Sequence, residues 1–348
     1  MNIRVNLLHI THRTTDSGSM PFMQMQTVTG TDIQEAARLL RQDEIVAIPT
    51  ETVYGLAGNA LSETALVKIY EAKQRPRFNP LILHLPDVTC FTQYARMDAV
   101  SNRLASTFMP GPFTLLLPKN TRVPDLATAG SDKVALRVPA HPVIHRLLKL
   151  LDFPLAAPSA NPFGYVSPTS AAHVLSGLGG KIPYILDGGT CQVGLESTIA
   201  EVLPDKVLLH RAGAVSAQDI RHIAGMPVEA PIHQSRPDTP GQLKSHYATH
   251  TPLYRGDIPA LLDQFPGKRI ALLLFQEIKE VRSSPHISQF VLSPAGDLAE
   301  AAQHLFATMR RIDSMGFDLV IADYFPDTGI GRAINDRLER AKAVYKTP

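Results

Sequence analysis

Apolar residues recur along this chain either at helical spacing or in short runs rich in β-branched side chains, and from residue 27 onward the two patterns alternate. Such alternation predicts an α/β fold with helices packed on a sheet. Thr31 and Asp32 precede Ile33, Ala36, Ala37 and Leu40, a helix start in which Gln34 and Glu35 are placed to complete a capping box. Residues 44–49 (EIVAIP) read as a buried strand and residues 50–56 (TETVYGL) as the turn leaving it. Further strands are predicted over 81–85, 113–117, 134–138, 155–157, 182–186, 198–203 and 207–210, and helices over 62–74, 99–108, 142–150, 170–176 and 217–223.

Between residues 225 and 252 the periodicity is broken by Pro227, Pro231, Pro237, Pro240, Gly241 and Pro252, which predicts a Pro-rich linker. Beyond it, a strand over 270–275 is followed by a helix that Ser293-Pro294 should cap, carrying Leu298, Ala302, Leu305, Met309 and Ile312, and by a strand over 319–322. The expected organisation is an extension at 1–26, a first α/β domain at 27–224, the linker at 225–252 and a small second α/β domain at 253–348. The extension mixes His, Arg, Ser and Asp without a continuous apolar core, so a secretory signal is not expected, and Met20, Met23 and Met25 offer alternative starts.

Composition narrows the class. Hydrophobic residues are 44% and charged residues 19% of 348 positions, a globular rather than a disordered balance. Lys and Arg number 34 against 32 Asp and Glu, a net charge of +2, so any grip on a polyanion has to be local. The longest wholly apolar run, residues 270–275, falls far short of the ~20 residues that cross a bilayer, so no membrane association is expected. Cys90 and Cys191 make no disulfide framework or zinc set, and a cytoplasmic location is expected.

Several familiar signatures are absent. Gly179-Gly180-Lys181-Ile182 lacks both the leading glycine and the hydroxyl residue of a phosphate-binding loop, and Gly329-Ile330-Gly331 stops short of a dinucleotide fingerprint. Ser159 stands in APSAN, not in a nucleophile elbow. His141 and His145 lack the glutamate of a zinc helix and have Pro142 between them, so packed or exposed histidines are expected and no metal-ligand set is assigned.

Three clusters carry candidate chemistry. Lys73-Gln74-Arg75-Pro76-Arg77 gathers cations at a helix end, stiffened by prolines; such a surface suits a triphosphate, although a solvated helix C-terminus favours cations too. Pro158-Ser159-Ala160-Asn161-Pro162 and Ser167-Pro168-Thr169 place hydroxyl and amide groups after a strand, where they can hold a sugar or phosphate or simply make turns. Gly188-Gly189, Gly194-Leu195-Glu196-Ser197-Thr198 and Arg211-Ala212-Gly213 offer backbone access, a hydroxyl and a guanidinium where strands end.

Taken together, PTETVYGL at 49–56, Lys73-x-Arg75 with Asn79-Pro80-Leu81, PGPFT at 110–114, RVPAHP at 137–142, PSAN at 158–161, DGG at 187–189 and ESTI at 196–199 resemble one family. The chain is similar to the L-threonylcarbamoyladenylate synthases in their long form, from about residue 27 to its end. Ser245-His246-Tyr247-Ala248 and GIGRAINDR at 329–337 are similar to the second half of that form. The family usually has Lys before His-Tyr and Pro after Ala; here those positions hold Ser245 and Thr249, with Lys244 one residue away.

The resemblance implies a YrdC-like twisted open sheet with flanking helices, plus a smaller Rossmann-like α/β domain. It implies a nucleotidyltransferase that joins L-threonine, bicarbonate or CO2, and ATP with Mg²⁺ into threonylcarbamoyl-AMP, releasing pyrophosphate. The product would feed N6-threonylcarbamoylation of adenosine 37 in tRNAs reading codons that begin with A, through hand-off to a separate transferase, with weak tRNA binding as a further expectation. By the same resemblance Lys73 and Arg75 are catalytic, and Lys73, Arg75, Arg77, Ser159, Asn161, Ser167, Ser197, Arg211 and Tyr247 contact the nucleotide. Thr50, His84, Thr114 and Arg137 surround threonine or its carbamate. Two other readings remain open from sequence: a non-catalytic RNA-binding module, and a carbamoyltransferase on the same fold.

Overall fold

The computed structural model describes residues 26–231, 247–281 and 285–342. Residues 1–25 of the expected extension, and Lys244, Ser245 and His246 of the linker, lie outside the described residues. Eleven strands form one mixed sheet: β1 (Val28–Gly30), β2 (Val46–Ile48), β3 (Gly55–Asn59), β4 (Ile82–His84), β5 (Phe113–Pro118), β6 (Lys133–Arg137), β7 (Leu155–Ala156), β8 (Tyr184–Leu186), β9 (Thr198–Val202), β10 (Val207–Arg211) and β11 (Val228–Glu229). Their spatial order is β1-β8-β2-β3-β7-β4-β6-β5-β9-β10-β11. A second sheet holds β12 (Leu253–Arg255), β13 (Ile270–Leu274), β14 (Ile287–Val291) and β15 (Leu319–Ala322) in the order β12-β15-β13-β14, all parallel.

Side-chain alternation sorts the first sheet into a core face and a working face. Leu81, Leu83 and Leu85 enter the main core with Leu115, Leu117, Val134 and Leu136, while Ile82, Ala135 and Leu116 form a small apolar patch on the opposite side. Register places His84 beside Arg137 and Thr114 beside Ile199 on that same opposite side. A strand of period two therefore delivers polar groups to one face while its leucines hold the other.

Local signals set the helix ends. The Asp32 carboxylate accepts the backbone N–H groups of Gln34 (2.8 Å) and Glu35 (3.2 Å) and starts the helix Ile33–Arg41. The expected capping box is not made there, because the Glu35 carboxylate is held by Arg38. Helix Glu63–Lys73 begins at Ser62 and ends where Gln74 turns left-handed (φ 53°), and this reversal aims the following Arg75 back toward the sheet. The predicted cap Ser293-Pro294 lies too early: Asp297 caps the helix Leu298–Asp313, and the Ser293 hydroxyl accepts from the Asp297 N–H at 2.8 Å.

Strand β3 occupies part of the predicted turn. Its Gly-Leu-Ala-Gly-Asn sequence carries no β-branched signal, but small residues let it approach the helix Glu63–Lys73; a Cβ on Gly58 would lie 3.1 Å from Ile69. Strand β11 pairs with β10 inside the segment read as linker. Strands β1, β12 and β14 and the helices Asp125–Thr128, Ile258–Gln264 and Gly331–Ala341 were not predicted, being short, half-exposed or polar. Among the described residues no helix is long and apolar enough to cross a membrane.

Helices cover both faces of the second sheet, as a parallel sheet requires: Ile258–Gln264 on one side, Leu298–Asp313 and Gly331–Ala341 on the other. The latter core also takes in Val53, Val166 and Leu195 from the first sheet's loops, so the two sheets share one apolar seam. Gly194 sits at the seam with φ 77°, and a Cβ there would lie 2.5 Å from the Ala302 carbonyl oxygen and from the Gln303 Cα. Gly194→Ala should destabilise the protein by more than about 1 kcal/mol, through both backbone strain and collision with the helix. Urea unfolding checks this; an unchanged midpoint would refute the close approach.

Candidate active site

A cleft with about 530 Å³ of empty space, including that at its mouth, opens over the working face of the first sheet. Its wall is made by the 50–55 connection (Thr50, Thr52, Val53, Gly55), by Arg75, by Ile82 and His84 of β4, by Arg137 at the end of β6, by Ala157, Pro158 and Ser159, and by Glu196, Arg211 and Tyr247. Two loops far apart in sequence are zipped together at its edge. Leu56 N–H donates to the Pro158 carbonyl and Ala160 N–H to that of Tyr54, both at 2.7 Å.

The cationic and hydroxyl/amide clusters meet here. The Lys73 ammonium donates to the carbonyl oxygens of Ser159 (2.5 Å) and Asn161, so it roots the 158–161 loop from beneath and does not itself line the cleft. Burial, and then Arg75, push the Lys73 pKa well below the ordinary lysine value. Arg75 does line the cleft, with its guanidinium donating to the carbonyls of Asn79 (3.3 Å) and Pro80 (3.0 Å); burial lowers its pKa to about 10. Arg77 is exposed and outside the cleft wall. Asn161 is buried below it, its amide N–H groups donating to the carbonyls of Pro162 and Tyr165 while its side-chain oxygen has no partner.

At the other end, the Thr50 hydroxyl donates to the Val53 carbonyl (2.6 Å), which shapes the connection. Arg137 donates to Glu51 Oε1 (2.8 Å) and to the Gly111 carbonyl (3.2 Å). Burial, with Arg137 second, pulls His84 down to about 3, so this imidazole is neutral near pH 7 and serves as a hydrogen-bonding group, not a charge. Thr114 and Ser197 lie just under the wall, their hydroxyls 2.7 Å apart, and Arg211 donates to the Ser197 carbonyl (2.9 Å) and hydroxyl (3.0 Å). Ser167 is buried with its hydroxyl on Glu196 Oε1 (2.5 Å). Tyr247 faces the cleft at φ 67°, a strained backbone for a non-glycine residue, with its ring stacked 5.5 Å from that of Phe306.

The two predicted bystander histidines are separately occupied: His141 Nε2 lies 3.2 Å from the Gly188 carbonyl and His145 Nε2 lies 2.8 Å from that of Pro86. Among the described residues no group of three His, Cys, Asp or Glu could hold a metal ion.

The family described as "Telomere recombination" matches residues 38–213, and "Threonylcarbamoyl-AMP synthase, C-terminal domain" matches residues 210–343. The chain is 37% identical over 326 residues to the threonylcarbamoyl-AMP synthase of Bacillus subtilis, covering 89% of this chain and 92% of that one. It belongs to the threonylcarbamoyl-AMP synthase family. The P. abyssi Sua5 structure complexed with L-threonine superposes with a TM-score of 0.81 at 34% identity, covering 91% of this chain and 97% of that one. The synthase is thus a nucleotidyltransferase of the long form; the first family match spans β2 to β10, and the second takes in β11 and the whole second sheet.

Sequence reasoning missed two residues that the synthase uses to build this wall. Glu196 lines the cleft, and Arg337 of the helix Gly331–Ala341 donates to Glu196 Oε2 at 2.9 Å from the far side of the seam. Both belong to recognisable motifs, ESTI and GIGRAINDR, but nothing in one sequence pairs residues 141 positions apart. Arg337, Arg211 and the Ser167 hydroxyl overcome burial and hold the Glu196 carboxyl at about 2, below its ordinary 4.5. A carboxyl depressed on folding contributes stability above its ordinary pKa and loses it as pH falls toward the folded value. The synthase should therefore lose stability between about pH 4.5 and pH 2, and Glu196→Gln should flatten that part of the profile. Thermal unfolding across a pH series would show it; parallel curves for the two proteins would contradict the assignment.

Proposed function

We propose that this chain makes threonylcarbamoyl-AMP from L-threonine, CO2 or bicarbonate, and ATP, with release of pyrophosphate. The observation that carries the reading is a single cleft lined by three buried guanidiniums, Arg75, Arg137 and Arg211, in a member of this family. A carbamate and a triphosphate are both anions and repel each other, so their reaction needs fixed positive charge on both sides.

In the proposed reaction the threonine amine, once deprotonated, forms an N–C bond to CO2 and gives a carbamate. One carbamate oxygen then attacks the α-phosphorus of ATP, and the bond to the β,γ-pyrophosphate breaks. Arg75 acts on the phosphates, with Lys73 adding charge from beneath the loop and Ser159, Asn161, Ser167, Ser197, Arg211 and Tyr247 forming the nucleotide end. Thr50, neutral His84, Thr114 and Arg137 form the threonine and carbamate end. Mg²⁺ enters with ATP as its phosphate complex. A carbamate loses CO2 readily in water, and Tyr247 at the wall supports exclusion of solvent. No covalent bond to the protein is required. The product is proposed to serve N6-threonylcarbamoylation of adenosine 37 in tRNAs reading codons that begin with A, in the cytoplasm, after transfer to a separate enzyme.

The purified protein should exchange labelled pyrophosphate into ATP only when threonine and bicarbonate are both present. Exchange without threonine, or none at all, would reject the reaction. Arg75→Ala should lower turnover by on the order of 2–4 kcal/mol in transition-state stabilisation. Lys73→Met should lose activity as well, with the 158–161 loop unrooted. Near-normal exchange in both variants would reject the charge assignment.

A further inference from the structure

Arg337 is completely buried, yet it belongs to the second sheet's helix and has no place in the reaction as written. Its guanidinium reaches two residues of the cleft wall and the backbone next to a third. Nε donates to Glu196 Oε2 (2.9 Å), NH2 donates to the carbonyl of Ala212, next to Arg211 (2.9 Å), and the group stands 5.3 Å from the ring centre of Tyr247. Its remaining nitrogen meets Asp336 at 2.8 Å, a carboxylate that is also held by Arg340. Arg340 thus balances Asp336, and the charge of Arg337 is left to balance Glu196.

That balance matters because Glu196 faces the cleft beside Arg211, close enough for Arg211 to depress the Glu196 carboxyl. With Arg337 present, the carboxylate is neutralised from behind and Arg211 contributes its positive charge to the cleft. Without Arg337, the Glu196 carboxylate would sit in a poorly solvated wall with Arg211 as its counter-charge, so that Arg211 would be spent on it and contribute less attraction to a polyphosphate. We propose that Arg337 is a positioning residue for the nucleotide: it neutralises and orients Glu196, and through this contact the C-terminal sheet sets the affinity of the YrdC-like cleft for ATP. The proposal rests on the cleft being the nucleotide site. The effect falls chiefly on ATP, because Arg211, the cation beside Glu196, is assigned to the nucleotide end, whereas Arg137 at the threonine end has its own carboxylate in Glu51.

The test uses the full-length protein and compares Arg337→Met, Glu196→Gln and the double variant in pyrophosphate exchange, with direct ATP binding by calorimetry alongside. Arg337→Met should raise the KM for ATP by about tenfold or more and leave that for threonine within about twofold. The double variant buries no unbalanced charge and should recover the ATP value to within about threefold of the unaltered protein. An unchanged ATP KM in Arg337→Met overturns the proposal. So does a loss that falls equally on kcat and both substrates and is not recovered in the double variant, which is the mark of a merely structural role. If Arg337→Met fails to fold, the double variant decides: a foldable double variant with strongly weakened ATP binding refutes the proposal. An unaltered protein that binds ATP but shows no exchange would sink the assigned reaction and leave the Arg337 comparison readable by calorimetry.

Discussion

Burying a positive charge is costly unless each N–H finds an acceptor, and this protein meets the requirement mainly with backbone carbonyls rather than carboxylates. Lys73 is held by the carbonyls of Ser159 and Asn161, Arg75 by those of Asn79 and Pro80, and Arg211 by that of Ser197. A carbonyl satisfies hydrogen bonding without cancelling the charge, so the cleft stays electropositive in a chain whose overall charge is only +2. The loops that supply these carbonyls are proline-stiffened, which keeps the acceptors in place when no ligand is bound. Two buried cations are paired with carboxylates instead: Arg137 with Glu51 at the cleft, and Arg337 behind its wall with Glu196 and Asp336.

The elements legible from sequence are those encoded by strong local patterns. The leucine alternation around Ile82 and His84, the apolar run of β13 and the serine and aspartate caps each encode their element within a few residues. Strand β3 was hidden because a Gly/Ala strand owes its existence to the helix it packs against, and Gly331–Ala341 because its apolar spacing is broken by Arg337, a charge whose burial depends on Glu196 and Ala212 in the first sheet's loops as well as on Asp336 beside it. The same division holds at the site. Lys73, Arg75 and the 158–161 loop could be suspected from composition, but that Lys73 points at carbonyls and not into the cleft is a property of tertiary packing. Arg77, four residues beyond Lys73 in the same cationic run, ends up in solvent beside exposed Phe78, while Lys73 and Arg75 are buried.

The second sheet is tied to the first by polar as well as apolar contacts. Arg310 donates to the carbonyls of Val166 and Ser167, and Asp313 accepts from the Tyr165 hydroxyl (2.7 Å) and the Thr251 N–H (2.8 Å). These bonds lock the loop after Asn161 and the chain entering β12 onto one helix, Leu298–Asp313, which also carries the Phe306 ring under Tyr247. The cleft wall is therefore finished by residues that the first sheet cannot supply by itself.

The apolar seam that joins Val53 and Leu195 to Ala302, Leu305 and Phe306 has a consequence for the history of this chain. A side chain enlarged on one bank must be matched by one trimmed on the other, so drift at these positions is constrained to correlated pairs. A second half whose facing residues were not matched in this way would leave a void or a clash at the seam, and the disturbance would reach the cleft that both halves finish.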